Sequence, residues 1–389
     1  MVRITEIRER TVSLRSEIRN AWISFRDMDT SLVAVVSDFV RDGHPVVGFG
    51  FGSNGRYSQG GILRSRIIPR VLTADPEALV DEQGSLDPSR IWSVAMANEK
   101  PGGHGERSVA IGVLDMALWD LAAKIAAVPL HQLLAENVGD GVSDSSVEVY
   151  AAGGYYAPGR TLSDLADEMR GYLDLGYVAV KMKIGGAPLA EDLSRIEAAL
   201  GAVGSGARLA VDANARFDRE TALSYARAME PYGLRWYEEP GDPLDFALMA
   251  DLAAATKLPL ATGENLFSHP DARNLLRHGG LRPATDIIQV DPSLSYGVVE
   301  YLRIVEEANA LGWSSRQLIP HGGHQLGLHL AAALHLGGNE AYPGVFYPVG
   351  GFADDQAIED GRVHLGEDPG IGIERKNELY RLCRELIAD

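Results

Sequence analysis

Cysteine is almost missing from this chain: of 389 residues only Cys383 carries a thiol. One thiol can form neither an internal disulfide nor a thiolate metal cluster, and the expectation is a protein of the reducing cytoplasm. Long apolar runs are missing too. No segment approaches the roughly 18 uninterrupted apolar residues of a membrane-spanning helix. The start, Met1-Val2-Arg3-Ile4-Thr5-Glu6-Ile7-Arg8, alternates apolar and charged residues where an export signal would carry an apolar stretch. Neither membrane insertion nor export by a cleaved signal is expected. Positive charge is scarce, with 36 Lys and Arg against 54 Asp and Glu, a formal charge of −18. Such a chain repels phosphate backbones, so nucleic acid is not an expected partner.

What is present is a globular composition, 46% hydrophobic with 43 glycines and 19 prolines, long enough for one large barrel with a smaller appended domain. Up to about position 70 the runs around Ile4, Ile7 and Val12, then Ile23-Ser24-Phe25, then residues 31–37, separated by glycine-rich turns, predict a small antiparallel sheet. From 107 to 134 apolar residues at helical spacing predict one largely buried helix. Beyond Val147 strand-like runs at 147–152, 178–184, 209–212, 234–238, 260–262, 287–291 and 316–320 alternate with helical stretches. This alternation predicts a parallel α/β barrel. The competing open doubly wound sheet would carry a Gly-x-Gly-x-x-Gly turn between a strand and a helix, and this region has none. A charged helix from about Glu374 closes the chain. Residues 48–55, rich in glycine, read as a lid. A phosphate cradle would be followed by Gly-Lys-[Ser/Thr], which is absent.

In such a barrel the active site gathers at the C-terminal ends of the strands. Each predicted strand from the second onward ends in an ionisable group: Lys183, Asp212, Glu238, Glu264, Asp291 and His321, spaced 26 to 30 residues apart. Asp212, Glu238 and Glu264, on three consecutive strands, could not all stay ionised at close range without a cation. All-oxygen ligation predicts Mg2+ before Mn2+, whereas zinc would want histidine or cysteine. Lys181 and Lys183 share one face of their strand. Beside a second ammonium and a divalent cation, a lysine becomes a candidate base near neutral pH. Asp291 is placed to hold a ring nitrogen of His321 and fix its tautomer, an acid/base dyad. Alone, His321-Gly322-Gly323-His324 reads equally as two metal ligands or a turn, and His329 and His335 read as core or helix-face residues.

The series Lys181-x-Lys183, Asp212-x-Asn214, Glu238-Glu239-Pro240, Gly263-Glu264-Asn265, Asp291 and His321, with the buried helix around Leu114-Asp115-Met116, resembles the mandelate racemase subgroup of the enolase superfamily over nearly the whole chain. The resemblance implies an α/β fold: a modified TIM-type (β/α)7β barrel over residues 126–354 with an α+β N-terminal capping domain over 1–125, completed by about 355–389. It implies Mg2+ on Asp212, Glu238 and Glu264, stabilising the enediolate made when a proton α to a carboxylate is removed, with Lys183 and His321 as the acid/base pair. It also implies a homo-oligomer. Loops over the mouth, among them 51–57, 98–105 and 183–188, are similar to those of the subgroup's dehydratases of short hydroxy-diacids. On that likeness Lys183 takes the C2 proton, Lys181 and Glu340 contact the reacting carboxylate, and His321 protonates the departing hydroxyl. Lys100 is the candidate cation for a second carboxylate, with Asn20, Asn54 and one of Tyr155 or Tyr156, here Tyr155, completing the hydrogen bonds to this small-molecule diacid. A dehydratase of longer sugar acids, a racemase using the same two groups, and a catalytically silent acid-binding barrel remain open.

Overall fold

A computed structural model describes residues 1–388. The chain begins with a three-stranded antiparallel sheet of β1 (Ile4–Ser13), β2 (Asp29–Arg41) and β3 (His44–Phe51), in that order. β2 pairs Val35 with Gly48 and Val33 with Gly50. Those glycines face the helix Glu106–Ala126: a Cβ on Gly48 would stand 2.1 Å from the Ala117 carbonyl oxygen, and one on Gly50 2.3 Å from that of Val113. The stretch expected to be a lid is therefore, in its first half, a strand whose missing side chains let a helix approach. Only the part beyond Phe51 reaches the mouth.

Two other expectations are corrected. Ile23-Ser24-Phe25 is not a strand but part of a loop closed on itself, in which Asn20 N–H donates to Ile23 O (3.2 Å) and Phe25 N–H to Ile18 O (3.0 Å). The helix expected across 107–134 is two, Glu106–Ala126 and Leu130–Val138. Between them Ala127 turns left-handed (φ 61°), Val128 N–H bonds back to Ala123 O (3.1 Å), and Pro129 starts the second helix.

The second unit is a parallel sheet of seven strands flanked by helices. β4 (Ser146–Gly153), β5 (Val180–Lys183), β6 (Leu209–Asp212), β7 (Tyr237–Glu238), β8 (Leu260–Thr262), β9 (Ile287–Ile288) and β10 (Asn339–Ala341) pair in the order β10-β4-β5-β6-β7-β8-β9, and β11 (Arg362–His364) adds antiparallel to β4. Amphipathic helices separate the strands, for example Leu162–Asp174 after β4 and Leu189–Val203 after β5. The strand expected at 316–320 begins as the 3-10 turn Ser315–Gln317. Its extended end still joins the sheet, because Ile319 N–H donates to Ile288 O and Leu318 O accepts from Gly337 N–H, each at 2.9 Å. The terminal helix Asn377–Ala388 returns to the first unit, where Arg8 and Arg10 of β1 donate to Leu386 O (3.1 Å) and Leu382 O (2.9 Å). Among the described residues no helix is long and apolar enough to cross a membrane.

Candidate active site

Strand register sets the site. Lys183 pairs with Asp212 across β5 and β6, and Asp212 with Glu238 across β6 and β7, so three ionisable side chains stand at one level. Glu264 follows β8 through Gly263. Asp212, Glu238 and Glu264 offer oxygens that all lie within 4.8 Å of one another. The chain leaves β6 and β7 through left-handed Asn214 (φ 45°) and Glu239 (φ 38°), a conformation costing about 1 kcal/mol or more for such residues. Hydrogen bonds hold both turns: Asn214 N–H donates to Asp212 Oδ1 (2.8 Å), and Asn265 Nδ2 donates to both Glu239 oxygens (3.0 and 2.9 Å).

Two buried ammoniums balance these acids. Lys181 Nζ pairs with Glu238, lies 2.6 Å from Glu340 and 3.7 Å from Asp212, and Lys183 Nζ pairs with Asp212 and stands 5.2 Å from the centre of the Tyr155 ring. Burial alone would lower both lysines, but the carboxylates beside them outweigh it and hold both above the ordinary lysine value. Among these carboxylates Asp212, paired directly with the Lys183 ammonium, acts on it most, while the neighbouring Lys181 acts in the opposite direction. Burial pushes Glu238 up to about 8, opposed by Lys181 and reinforced by Asp212, Glu340 and Glu264. Trp236 Nε1 (2.7 Å) and Gln289 Nε2 (2.9 Å) donate to its second oxygen.

At the other flank His321 Nδ1 lies 2.9 Å from Asp291 Oδ2, while its Nε2 lies 3.0 Å from Tyr342 Oη and 3.5 Å from Glu264 Oε2. Burial works against the imidazolium, but Glu264, Asp291 and Glu340 together raise His321 to about 10. Burial would raise Asp291 as well, yet His321 and His324 beside it hold it below the usual carboxylate range. Gly322 (φ 108°) permits this contact, since a Cβ there would stand 2.6 Å from Asp291 Oδ2.

Above these groups lies a cavity of about 890 Å3, bordered by Asn20, Asn54, Tyr155, Lys183, Glu264 and His321 among others. Asp212, Glu238, Lys181, Asp291 and Glu340 are buried next to them. Tyr156 turns away, its hydroxyl donating to Asp192 at 2.6 Å. Lys100 does not border the cavity. It is exposed, because Arg107 clamps the backbone of its loop through Lys100 O and Gly102 O (both 2.9 Å), and that loop presents Gly102, Gly103 and His104 instead. Among the lining residues outside the expected site set are the polar side chains of Tyr342, Asn265 and Arg56. Asn265 and Arg56 belong to stretches singled out above, but Tyr342 lies in an irregular segment that carries no pattern.

Glu264 Oε2 is buried and accepts no hydrogen bond. An orphaned oxygen in an all-carboxylate donor set fits a hard divalent cation such as Mg2+.

Residues 164–379 match the family Enolase C-terminal domain-like, and residues 9–135 match Mandelate racemase / muconate lactonizing enzyme, N-terminal domain. The chain belongs to the enolase superfamily, in its mandelate racemase/muconate lactonizing subgroup. Among its relatives, L-talarate/galactarate dehydratase of Salmonella typhimurium is 32% identical over 345 residues, covering 88% of this chain and 80% of that one. The structure of L-talarate dehydratase from Polaromonas sp. JS666, complexed with Mg and L-glucarate, is similar with a TM-score of 0.77 at 28% identity, over 96% of this chain and 95% of that one. A racemase from Streptomyces coelicolor A3(2) with bound magnesium is similar with a TM-score of 0.77 at 28% identity, over 97% and 99% of the two chains.

Proposed function

We propose that this protein is a Mg2+-dependent hydro-lyase that removes water from an acid sugar, and that its substrate is D-tartrate, converted to oxaloacetate. The observation that carries the reaction class is the placement of Lys183 at the Asp212 end of the carboxylate triad and His321 at the Glu264 end, both bordering one cavity. Mg2+ held by Asp212, Glu238 and Glu264 would supply Lewis-acid stabilisation of the charge that develops when the α-proton leaves. Lys183, once deprotonated, takes the C2 proton, while Lys181, held by Glu340 at 2.6 Å, settles the adjacent carboxylate. Asp291 holds His321 at Nδ1, so that Nε2 gives its proton to the C3 hydroxyl, which departs as water. The enol ketonises, and the balance is tartrate to oxaloacetate plus water with no redox partner.

The loop likeness at 51–57 and 98–105 supports tartrate over other acids, and Asn20, Asn54 and Tyr155 at the cavity wall are its proposed hydrogen-bonding partners. A second reading, dehydration of a six-carbon diacid, draws on the roomy cavity and the talarate/galactarate relative. The same proposal takes the parallel sheet as a (β/α)7β barrel with the Leu318 segment as the stave between β9 and β10. The test is a Mg2+-dependent screen of the three tartrates, galactarate, L-talarate and monoacid sugars, with keto acid detected by semicarbazide. Turnover of D-tartrate is the expected result. Turnover confined to six-carbon acids overturns tartrate and keeps the chemistry, and proton exchange at C2 without water loss overturns the hydro-lyase.

A further inference from the structure

A dicarboxylate needs a second cation away from the triad, and the exposed Lys100 does not border the cavity. Arg56 does, and among the described residues it is the only arginine in the lining. Its guanidinium is half-buried and held on two sides: Nη2 donates to Asn265 Oδ1 at 2.7 Å, and the guanidinium carbon stands 4.7 Å from the centre of the Phe267 ring. A further N–H bonds to the neighbouring Gly55 carbonyl at 3.2 Å. Among the described residues no carboxylate is paired with it, although a guanidinium carries five N–H donors in a planar fork suited to a carboxylate.

Asn265 explains why this guanidinium is held where it is. Its Oδ1 accepts from Arg56 while its Nδ2 donates to both Glu239 oxygens and approaches Glu264 Oε1 at 3.4 Å. The amide has only this orientation open to it, because its nitrogen must face the carboxylates and its oxygen the guanidinium. One amide group therefore spans from the triad's Glu264 to Arg56. The other acids bordering this side are engaged elsewhere: Asp242 accepts from Leu244 N–H (2.8 Å), and Asp271 is bound by the Ser268 hydroxyl (2.8 Å).

We propose that Arg56 binds the distal carboxylate of a dicarboxylic substrate, with Asn265 and Phe267 as the residues that position its guanidinium. The inference rests on the reading of the site as an acid-sugar dehydratase and names the substrate class of that same site. The short span through Asn265 favours a diacid whose two carboxylates are a few bonds apart.

The test separates charge recognition from chemistry. In a Lys183→Ala background, where neither acid is consumed, binding of D-tartrate and of D-threonate to the Mg2+-loaded protein is measured by calorimetry. D-threonate is the same chain with a CH2OH group in place of one carboxylate. Adding Arg56→Met should weaken D-tartrate about 10- to 100-fold, the worth of a charge-assisted forked pair, and should weaken D-threonate much less. Arg56→Lys, which keeps the charge and loses the fork, should fall between. Equal losses for the two acids, or none for either, overturn the role of Arg56 even in a protein that makes oxaloacetate. A wild-type protein that makes no keto acid from any diacid overturns instead the reading on which the inference rests.

Discussion

Lys183 and His321 stand at opposite ends of one carboxylate triad, so each can be removed without touching the other's partners. Lys183→Ala takes away the proton acceptor at the Asp212 end, and His321→Asn the proton donor at the Glu264 end. Each should lower kcat by about 100- to 10,000-fold, the usual worth of a positioned acid or base. Mg2+ binding, followed by calorimetry, should persist in both, because neither change removes a carboxylate. In the Lys183 variant it should tighten, since Asp212 loses a competing ammonium. Near-normal turnover by either variant removes that residue from the mechanism. At this scale the sequence is legible where a side chain ends a strand, since period-two alternation and a pitch of one strand-helix unit together place it. It is not legible in loops. Lys100 and Arg56 both sit in loops over the mouth, yet which of them faces the cavity depends on the Arg107 clamp and on the Asn265 amide, contacts between segments far apart in the chain.

Elements follow the same division. The helices alternating with strands are readable from periodicity, whereas the glycines of β3 are ambiguous because glycine signals a flexible turn and a close approach equally. The structure separates the two. Gly50→Ala should destabilise the protein by about 1–3 kcal/mol, the cost of overpacking a rigid contact, because its Cβ would stand 2.3 Å from a helix carbonyl. Gly171, inside the helix Leu162–Asp174, has open space where a Cβ would stand, with no neighbouring atom within 4 Å, and Gly171→Ala should stabilise by about 0.5–1 kcal/mol through helix propensity. Thermal unfolding of the two variants checks the pair. A Gly50 variant as stable as wild type would mean that β3 and the helix Glu106–Ala126 can move apart at little cost. The break at Ala127 escapes the pattern for a related reason, in that apolar spacing continues across Pro129 while the backbone does not.

For the molecule as a whole, the buried charges raise the question of whether the fold depends on its cation. Asp212, Glu238 and Glu340 are fully buried, and three carboxylates left alone there would repel one another strongly. They are not alone. Lys181 reaches all three and Lys183 pairs with Asp212, so two ammoniums partly neutralise the cluster from within the chain. The wild-type protein should therefore stay folded when Mg2+ is removed by a chelator, losing turnover but keeping a cooperative thermal transition. Adding the ion back should raise stability by about 2.7 kcal/mol at a hundred times its dissociation constant, the ordinary consequence of binding only the folded state. Lys181→Met should reverse this independence. Removing one partner of a buried ion pair costs about 3–5 kcal/mol, and here it would leave Glu238 and Glu340 facing each other across the gap. That variant should be marginal in chelator and recover much of its stability when Mg2+ neutralises the triad. Thermal melts of both proteins with and without Mg2+ decide the matter: if chelator unfolds the wild type as readily as the variant, the lysines are not what holds the carboxylates together.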